Sequence, residues 1–221
     1  VALCEQDERL YAAVGVHPND ALTWNEDTLD ELRALARHPK VCAIGEIGLD
    51  YYRDHAPRAL QRQILEEQLE LAAETGKPVV IHQRESGRDL WPIMHAWRNS
   101  LFNAQSALAD TPGVFHAFDG DFTEAQAAAS DQFFLGMGGP LTYKNALKKQ
   151  QVAANLPLTH ILLETDAPFL APHPWRGERN EPAYVQKVAE KIAEIRETSY
   201  EMIVQITSQN ADRLFGWGAT L

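Results

Sequence analysis

In Val41-Cys-Ala-Ile-Gly-Glu-Ile-Gly-Leu-Asp50 a short apolar run delivers one carboxylate, Glu46, between two glycines, where a strand is expected to end. Three later segments repeat the arrangement. Val79-Val80-Ile81 runs into His82, Val114-Phe115 into His116, and Ile161-Leu162-Leu163 into Glu164-Thr165-Asp166. Four such strand ends converging on one point make a metal site from two imidazoles and two carboxylates.

The spacing of these ends sets the fold class. Glu46 and His82 are 36 positions apart and His82 and His116 are 34 apart, the length of one strand, loop, helix and loop. The 50 positions from His116 to Asp166 hold two compact units, with Phe133-Phe134-Leu135-Gly136-Met137-Gly138 as the strand between them. Functional groups at the carboxyl ends of successive parallel strands are the arrangement of a TIM-type barrel, where all βα loops open on one face. The expected class is therefore α/β, a (β/α)8 barrel with a metal at its mouth.

Composition narrows the function. The chain has 221 residues, 45% hydrophobic and 23% charged, which suits a single globular domain spanning residues 1–221. A net charge of -11 lacks the basic footprint that grips long duplexes through many phosphates, so any nucleic acid must be held locally. Two distant cysteines, Cys4 and Cys42, offer neither a disulfide framework nor a thiolate zinc site and fit a reducing compartment. No apolar run reaches membrane-spanning length and no leader pattern opens the chain, so no membrane association and a cytoplasmic location are expected. Oligomeric state has no signature in the sequence.

The remaining segments complete the alternation. Tyr11 to Val16 is strand-like and precedes His17-Pro18; Asp27 to Arg37 has leucines at helical spacing. Pro57 to Thr75 predicts a longer helix, striped by Leu60, Ile64, Leu65, Leu69 and Ala72 and stopped by Gly76 and Pro78. Helices are also expected over Asp89 to Trp97, after a capping box at Thr123 to Gln126, over Ala183 to Glu197, and after a cap in Thr198-Ser-Tyr-Glu201. Ala167 to Pro182 reads as a long functional loop.

The motifs Gly15-Val-His-Pro18, Gly45-Glu-Ile-Gly-Leu-Asp50, Ile81-His82, His116-Ala-Phe-Asp-Gly120, Gly138-Gly139 with Leu141-Thr-Tyr143, Leu163-Glu-Thr-Asp-Ala-Pro168 and Arg176-Gly-Glu-Arg-Asn-Glu-Pro182, in this order, resemble the TatD family of metal-dependent deoxyribonucleases in the amidohydrolase superfamily. The resemblance covers nearly the whole chain. It implies a (β/α)8 barrel, a one- or two-metal site, and hydrolysis of DNA phosphodiester bonds, often from the 3′ end. Short single-stranded DNA or DNA ends would be the substrate. By the same resemblance Glu46 matches the acid that bridges two metals, His82 and His116 the two histidines of the inner metal, and Asp166 the acid that takes a proton from the attacking water. His17, Arg176 and Arg179 are candidates for holding substrate phosphate, the guanidinium forks matching its oxygens. The metal is magnesium, manganese or zinc: imidazoles favour the transition ions, while magnesium prefers oxygen.

One departure from the family pattern has consequences. Its first strand ends in an Asp-Thr-His-x-His type motif, and no His-x-His pair occurs here. The chain begins at Val1 in what reads as the helix before the family's third strand, so about six of eight βα units are expected. At most one metal, held by Glu46, His82 and His116, and weak or absent nuclease activity are the expectation. The competing readings are a hydrolase of another phosphoester, a lactone or an amide, and a noncatalytic fragment. Residue by residue, an isolated strand-end histidine is usually a surface group; only the common register with Glu46 and Asp166 favours ligation. Glu164 reads equally as support for the metal shell or as a partner to a nearby cation. Arg176 and Arg179 stand among Glu178 and Glu181, so a local salt-bridge network competes with phosphate binding. Asn180 fits a helix start. Asp119 adds negative charge beside His116. The tyrosines 51, 52 and 143 are weak candidates for stacking on bases, whereas Trp91 and Trp97 are expected in the helix layer. His38, His55, His95, His160 and His173 lie outside every motif.

Overall fold

The computed structural model describes residues 1–53 and 55–216. Six strands, β1 (Ala12–Val14), β2 (Val41–Asp50), β3 (Val79–Arg84), β4 (Gly113–Phe115), β5 (Phe134–Met137) and β6 (Ile161–Leu163), hydrogen-bond in chain order as one sheet. The pairs β1/β2, β2/β3 and β5/β6 are parallel. Between and after them lie α1 (Thr28–Ala36), α2 (Arg58–Thr75), α3 (Gly87–Asn103), α4 (Phe122–Ser130), α5 (Leu147–Asn155), α6 (Val185–Arg196) and α7 (Tyr200–Phe215). This is the expected α/β alternation, with the expected six strands. By backbone contacts the chain forms two compact units, Val1–Val114 and a second from Phe115 onward.

In the first unit α2 shows how sequence pattern becomes packing. Ile64, Leu65, Leu69 and Ala72 recur at helical spacing and are buried, each large side chain contributing roughly 1.5–3 kcal/mol. Gly76 ends the helix in the left-handed region (φ 64), its N–H bonded to the Ala72 carbonyl. The same buried face carries two glutamines, Gln61 and Gln68, two helical turns apart and each 1% exposed. Gln68 accepts from Val16 N–H (2.7 Å) and donates to the Val16 carbonyl (3.1 Å). Gln61 does the same for Asp50, accepting at 2.9 Å and donating at 3.1 Å. Each side-chain amide thus completes backbone hydrogen bonding beside a strand end. Trp97 packs with its indole N–H on the Leu69 carbonyl, as its helix-layer reading requires.

Several boundaries differ from those expected. Strand β2 runs through Glu46 to Asp50, and β3 includes His82, so both site residues lie within strands rather than beyond them. The two glycines of β2 let the backbones approach closely enough for pairing to continue: a Cβ on Gly48 would stand 2.0 Å from the His82 carbonyl oxygen. Helix α3 extends from Gly87 to Asn103, beyond the expected Asp89 to Trp97, with Pro92 inside it. Pro182–Tyr184 forms a 3-10 turn and α6 starts at Val185. The capping box before α4 is Asp121 with Glu124, not Thr123 with Gln126, because the Asp121 carboxylate reaches both Thr123 and Glu124 N–H groups. Ser199 caps α7. Among the described residues no disulfide joins Cys4 and Cys42, and no helix is long and apolar enough to cross a membrane.

Replacing Gln68 with Leu leaves the Val16 N–H and carbonyl without this partner and is expected to cost about 1–3 kcal/mol in urea denaturation. An unchanged denaturation midpoint would show that the pairing is dispensable.

Candidate metal centre

The parallel ladder of β2 and β3 shifts register at one point: Gly45 pairs with Val80 but Ile47 with Ile81, leaving Glu46 as the extra residue of a bulge. Bulges re-aim side chains, and Glu46 is the only partly exposed residue between Ile44 and Asp50. Beyond it the strand alternates, so Glu46, Gly48 and Asp50 fall on one face. Gly48 is the register partner of His82 and has no side chain. The imidazole therefore fits between the flanking acids, with Nδ1 2.9 Å from Glu46 Oε1 and Nε2 3.1 Å from Asp50 Oδ2.

His17 joins this group from the loop after β1. Its ring lies edge-on to His82 with centroids 4.4 Å apart, and its Nε2 is 3.8 Å from Glu46 Oε1. Among the described residues, His17, Glu46 and His82 are the grouping whose ligand atoms lie within 4.8 Å of one another, near enough to share an ion. Hydrogen bonding separates their roles. Burial first, then the neighbouring His82, lowers the His17 pKa below the ordinary histidine value and favours the neutral ring. Its Nδ1 accepts the Asn19 N–H at 3.1 Å, so the single proton sits on Nε2. Ligation through Nε2 would move that proton to Nδ1, against the Asn19 donor. His17 Nε2 is therefore placed to donate, while Glu46 and His82 offer ligand atoms that could hold an ion. Tetrahedral or octahedral ligands about 2.1 Å from an ion stand about 3.0–3.4 Å from one another, so the hydrogen-bonded His82 Nδ1 and Glu46 Oε1, 2.9 Å apart, need to separate only slightly to share one.

The second unit holds its own cluster. His116 Nδ1 lies 2.9 Å from Glu164 Oε2, and the Ala117 N–H donates to Glu164 Oε1 at 2.7 Å. Nε2 of His116 faces Asp166 Oδ1 at 3.5 Å. Glu164 thus orients the histidine, an arrangement common behind metal ligands. Gly136 makes room for it: a Cβ there would stand 2.2 Å from Glu164 Oε2. Ala117 (φ 47) and Asp166 (φ 55) occupy the left-handed region, each at a cost of about 1–2 kcal/mol, and such strain concentrates at functional sites. Asn180, 2% exposed, ties down the loop after β6 by donating to the Thr165 and Phe169 carbonyls. That fastens Asp166 from beyond the helix-start role read in the sequence.

The structure thus brings Glu46 together with His82 and His17 in one unit, and His116 with Asp166 in the other. Asp50, Gln61 and Asn19 had no assigned role; for Asp50 and Gln61 the one signal was a polar residue at a buried position of a strand or helix, and Asn19 in the turn after His17 gave none. Arg176 and Arg179 are exposed, and the Arg176 guanidinium lies over the Tyr143 ring at 4.4 Å. Arginines likewise cover Tyr51 (Arg58, 4.4 Å) and Tyr52 (Arg84, 3.9 Å), so one face of each tyrosine is already occupied. Asp119 is answered by Lys149 Nζ at 2.8 Å.

Imidazole and carboxylate donors gathered at the ends of neighbouring parallel strands are the ligand types that a metal-dependent hydrolase uses. The model of TatD related DNases matches residues 1–216. The chain belongs to that TatD family. It is 41% identical over 213 residues to the uncharacterized metal-dependent hydrolase YabD of Bacillus subtilis, covering 96% of this chain and 80% of that one. It is 35% identical over 210 residues to a protein of Edwardsiella piscicida named 3'-5' ssDNA/RNA exonuclease TatD, covering 93% and 77% of the two. The crystal structure of YjjV, a TatD homologue of Escherichia coli, superposes with a TM-score of 0.88 at 33% identity, covering 97% of this chain and 80% of the other.

Glu46→Gln keeps the shape but removes the charge that an ion needs. Manganese binding by titration calorimetry is expected to weaken by more than about 100-fold, beyond what loss of a supporting residue causes; unaltered affinity would remove Glu46 from the ligand set. Gly136→Ala is expected to push Glu164 off His116 and Ala117, raising amide exchange at Ala117 and lowering stability by about 1–3 kcal/mol. Unaltered protection at Ala117 would contradict the packing described.

Proposed function

We propose that this chain hydrolyses phosphodiester bonds at the ends of single-stranded DNA, in the 3′ to 5′ direction, with one divalent ion held by Glu46 and His82 and with residues 1–221 acting as one hydrolase domain. The observation that carries the reading is the meeting of His82 Nδ1 and Glu46 Oε1 on neighbouring strands, 2.9 Å apart. Nucleic acid as substrate class is supported by the exonuclease name of the relative from Edwardsiella piscicida. The net charge of -11 favours capture at an end over travel along a duplex.

Such an ion supplies Lewis acidity, drawing charge from a phosphoryl oxygen and making water acidic near neutral pH. The chain's own groups do the rest. His17 donates its Nε2 proton to a phosphate oxygen. Asp166 receives the proton of the attacking water, with His116 beside it held by Glu164. Arg176 and Arg179 add guanidinium donors to the outgoing strand. A mixed nitrogen and oxygen donor set suits manganese or zinc and also admits magnesium.

The test is a substrate panel: 3′- and 5′-labelled single-stranded DNA, duplex DNA, a generic phosphodiester and a lactone, each with magnesium, manganese or zinc. Weak stepwise shortening from the 3′ end of single strands is expected, abolished by chelation and reduced to background in Asp166→Asn. Turnover of the lactone with intact DNA would overturn the reading. Elemental analysis showing two ions per chain would overturn the single-ion assignment.

A further inference from the structure

We propose that Asp50 is a positioning residue that decides which nitrogen of His82 faces the ion, a role that rests on the reading of Glu46 and His82 as ligands. Asp50 is 1% exposed, and each of its oxygens has a separate task. Oδ1 accepts the backbone N–H groups of Tyr52 (3.0 Å) and Arg53 (2.9 Å). Oδ2 faces His82 Nε2 at 3.1 Å and the Asn19 side-chain amide at 3.4 Å. A carboxylate only accepts, so Nε2 carries a proton; Nδ1 faces the Glu46 carboxylate, and an ion entering on that partly exposed side would take the place of the Nδ1 proton while buried Asp50 keeps the one on Nε2.

The acid is itself held from two directions. Gln61 pairs with both backbone groups of Asp50, and the two loop amides fix the carboxylate plane. Asn19 links the same carboxylate to His17, because its own N–H is the donor on His17 Nδ1. One buried carboxylate therefore holds the Nε2 proton of His82 directly and, through Asn19, supports the Nε2 proton of His17, but the two rings turn different nitrogens to Glu46, Nδ1 in His82 and Nε2 in His17. A ligand and a donor made from the same residue type are kept distinct by their partners.

Asp50→Asn tests this sharply because the orientation of the new amide is dictated. Two backbone donors require its oxygen at the Oδ1 position, so its NH2 must face His82 Nε2. A donor there demands a lone pair on Nε2 and drives the proton to Nδ1, towards Glu46. Nitrogen-15 spectra of the imidazoles, recorded on metal-free protein at fixed pH, should show His82 Nε2 protonated in the wild type and unprotonated in Asp50→Asn. Manganese affinity by calorimetry should fall about 10–100-fold while His116 resonances stay in place. An unprotonated Nε2 in the wild type overturns the proposal without any variant, as does unchanged manganese affinity in a folded Asp50→Asn protein. Should the wild type bind no manganese, the ligand assignment falls and this role with it; absence of DNA cleavage with the tautomer and affinity changes intact overturns only the substrate.

Discussion

A histidine ring between two carboxylates of one neighbouring strand is the constraint from which the rest of the first unit follows. His82 can occupy that place only because Gly48, its register partner, has no side chain and because Glu46 and Asp50 flank the gap. A slip of β2 by one residue would turn both acids to the other face. The bulge at Glu46 and the two glycines lock that register. The helix behind it, α2, contributes more than apolar contact, since Gln61 and Gln68 fasten the backbone at Asp50 and Val16, the residues on which the two histidines depend.

The second unit repeats the logic with different means. Here the orienting acid is Glu164, reached through the space left by Gly136, and the histidine is gripped by Nδ1 instead of Nε2. Asp166 is held in a left-handed conformation by a loop that buried Asn180 ties together. In both units a histidine is held between two acids, one on each ring nitrogen. Chemistry of this kind needs such backing, because an imidazole free to turn or to exchange its proton site binds an ion poorly.

Much of this was legible in the sequence. The alternation of strands and helices, the six strands, and the gathering of Glu46 with His82 and of His116 with Asp166 all follow from apolar runs ending in polar residues at βα spacing. Boundaries were less legible, because strand pairing continues through Glu46 and His82 once glycines permit close approach, and local composition cannot show that. Asp50 and Gln61 escaped notice for a similar reason. A polar residue inside an apolar pattern reveals its task only when the backbone group that it satisfies comes from elsewhere in the chain. His17 stood out in the sequence as a candidate for holding phosphate or for closing a turn, but the Asn19 N–H that fixes its tautomer is visible only in three dimensions.

The most direct test of the central claim is the anomalous diffraction of crystals soaked in manganese or zinc. The account predicts an ion about 2.0–2.2 Å from a Glu46 carboxylate oxygen and from His82 Nδ1, with Nε2 still on Asp50. An ion bound elsewhere with these atoms still hydrogen-bonded to each other, or one ligated through His82 Nε2, would contradict it.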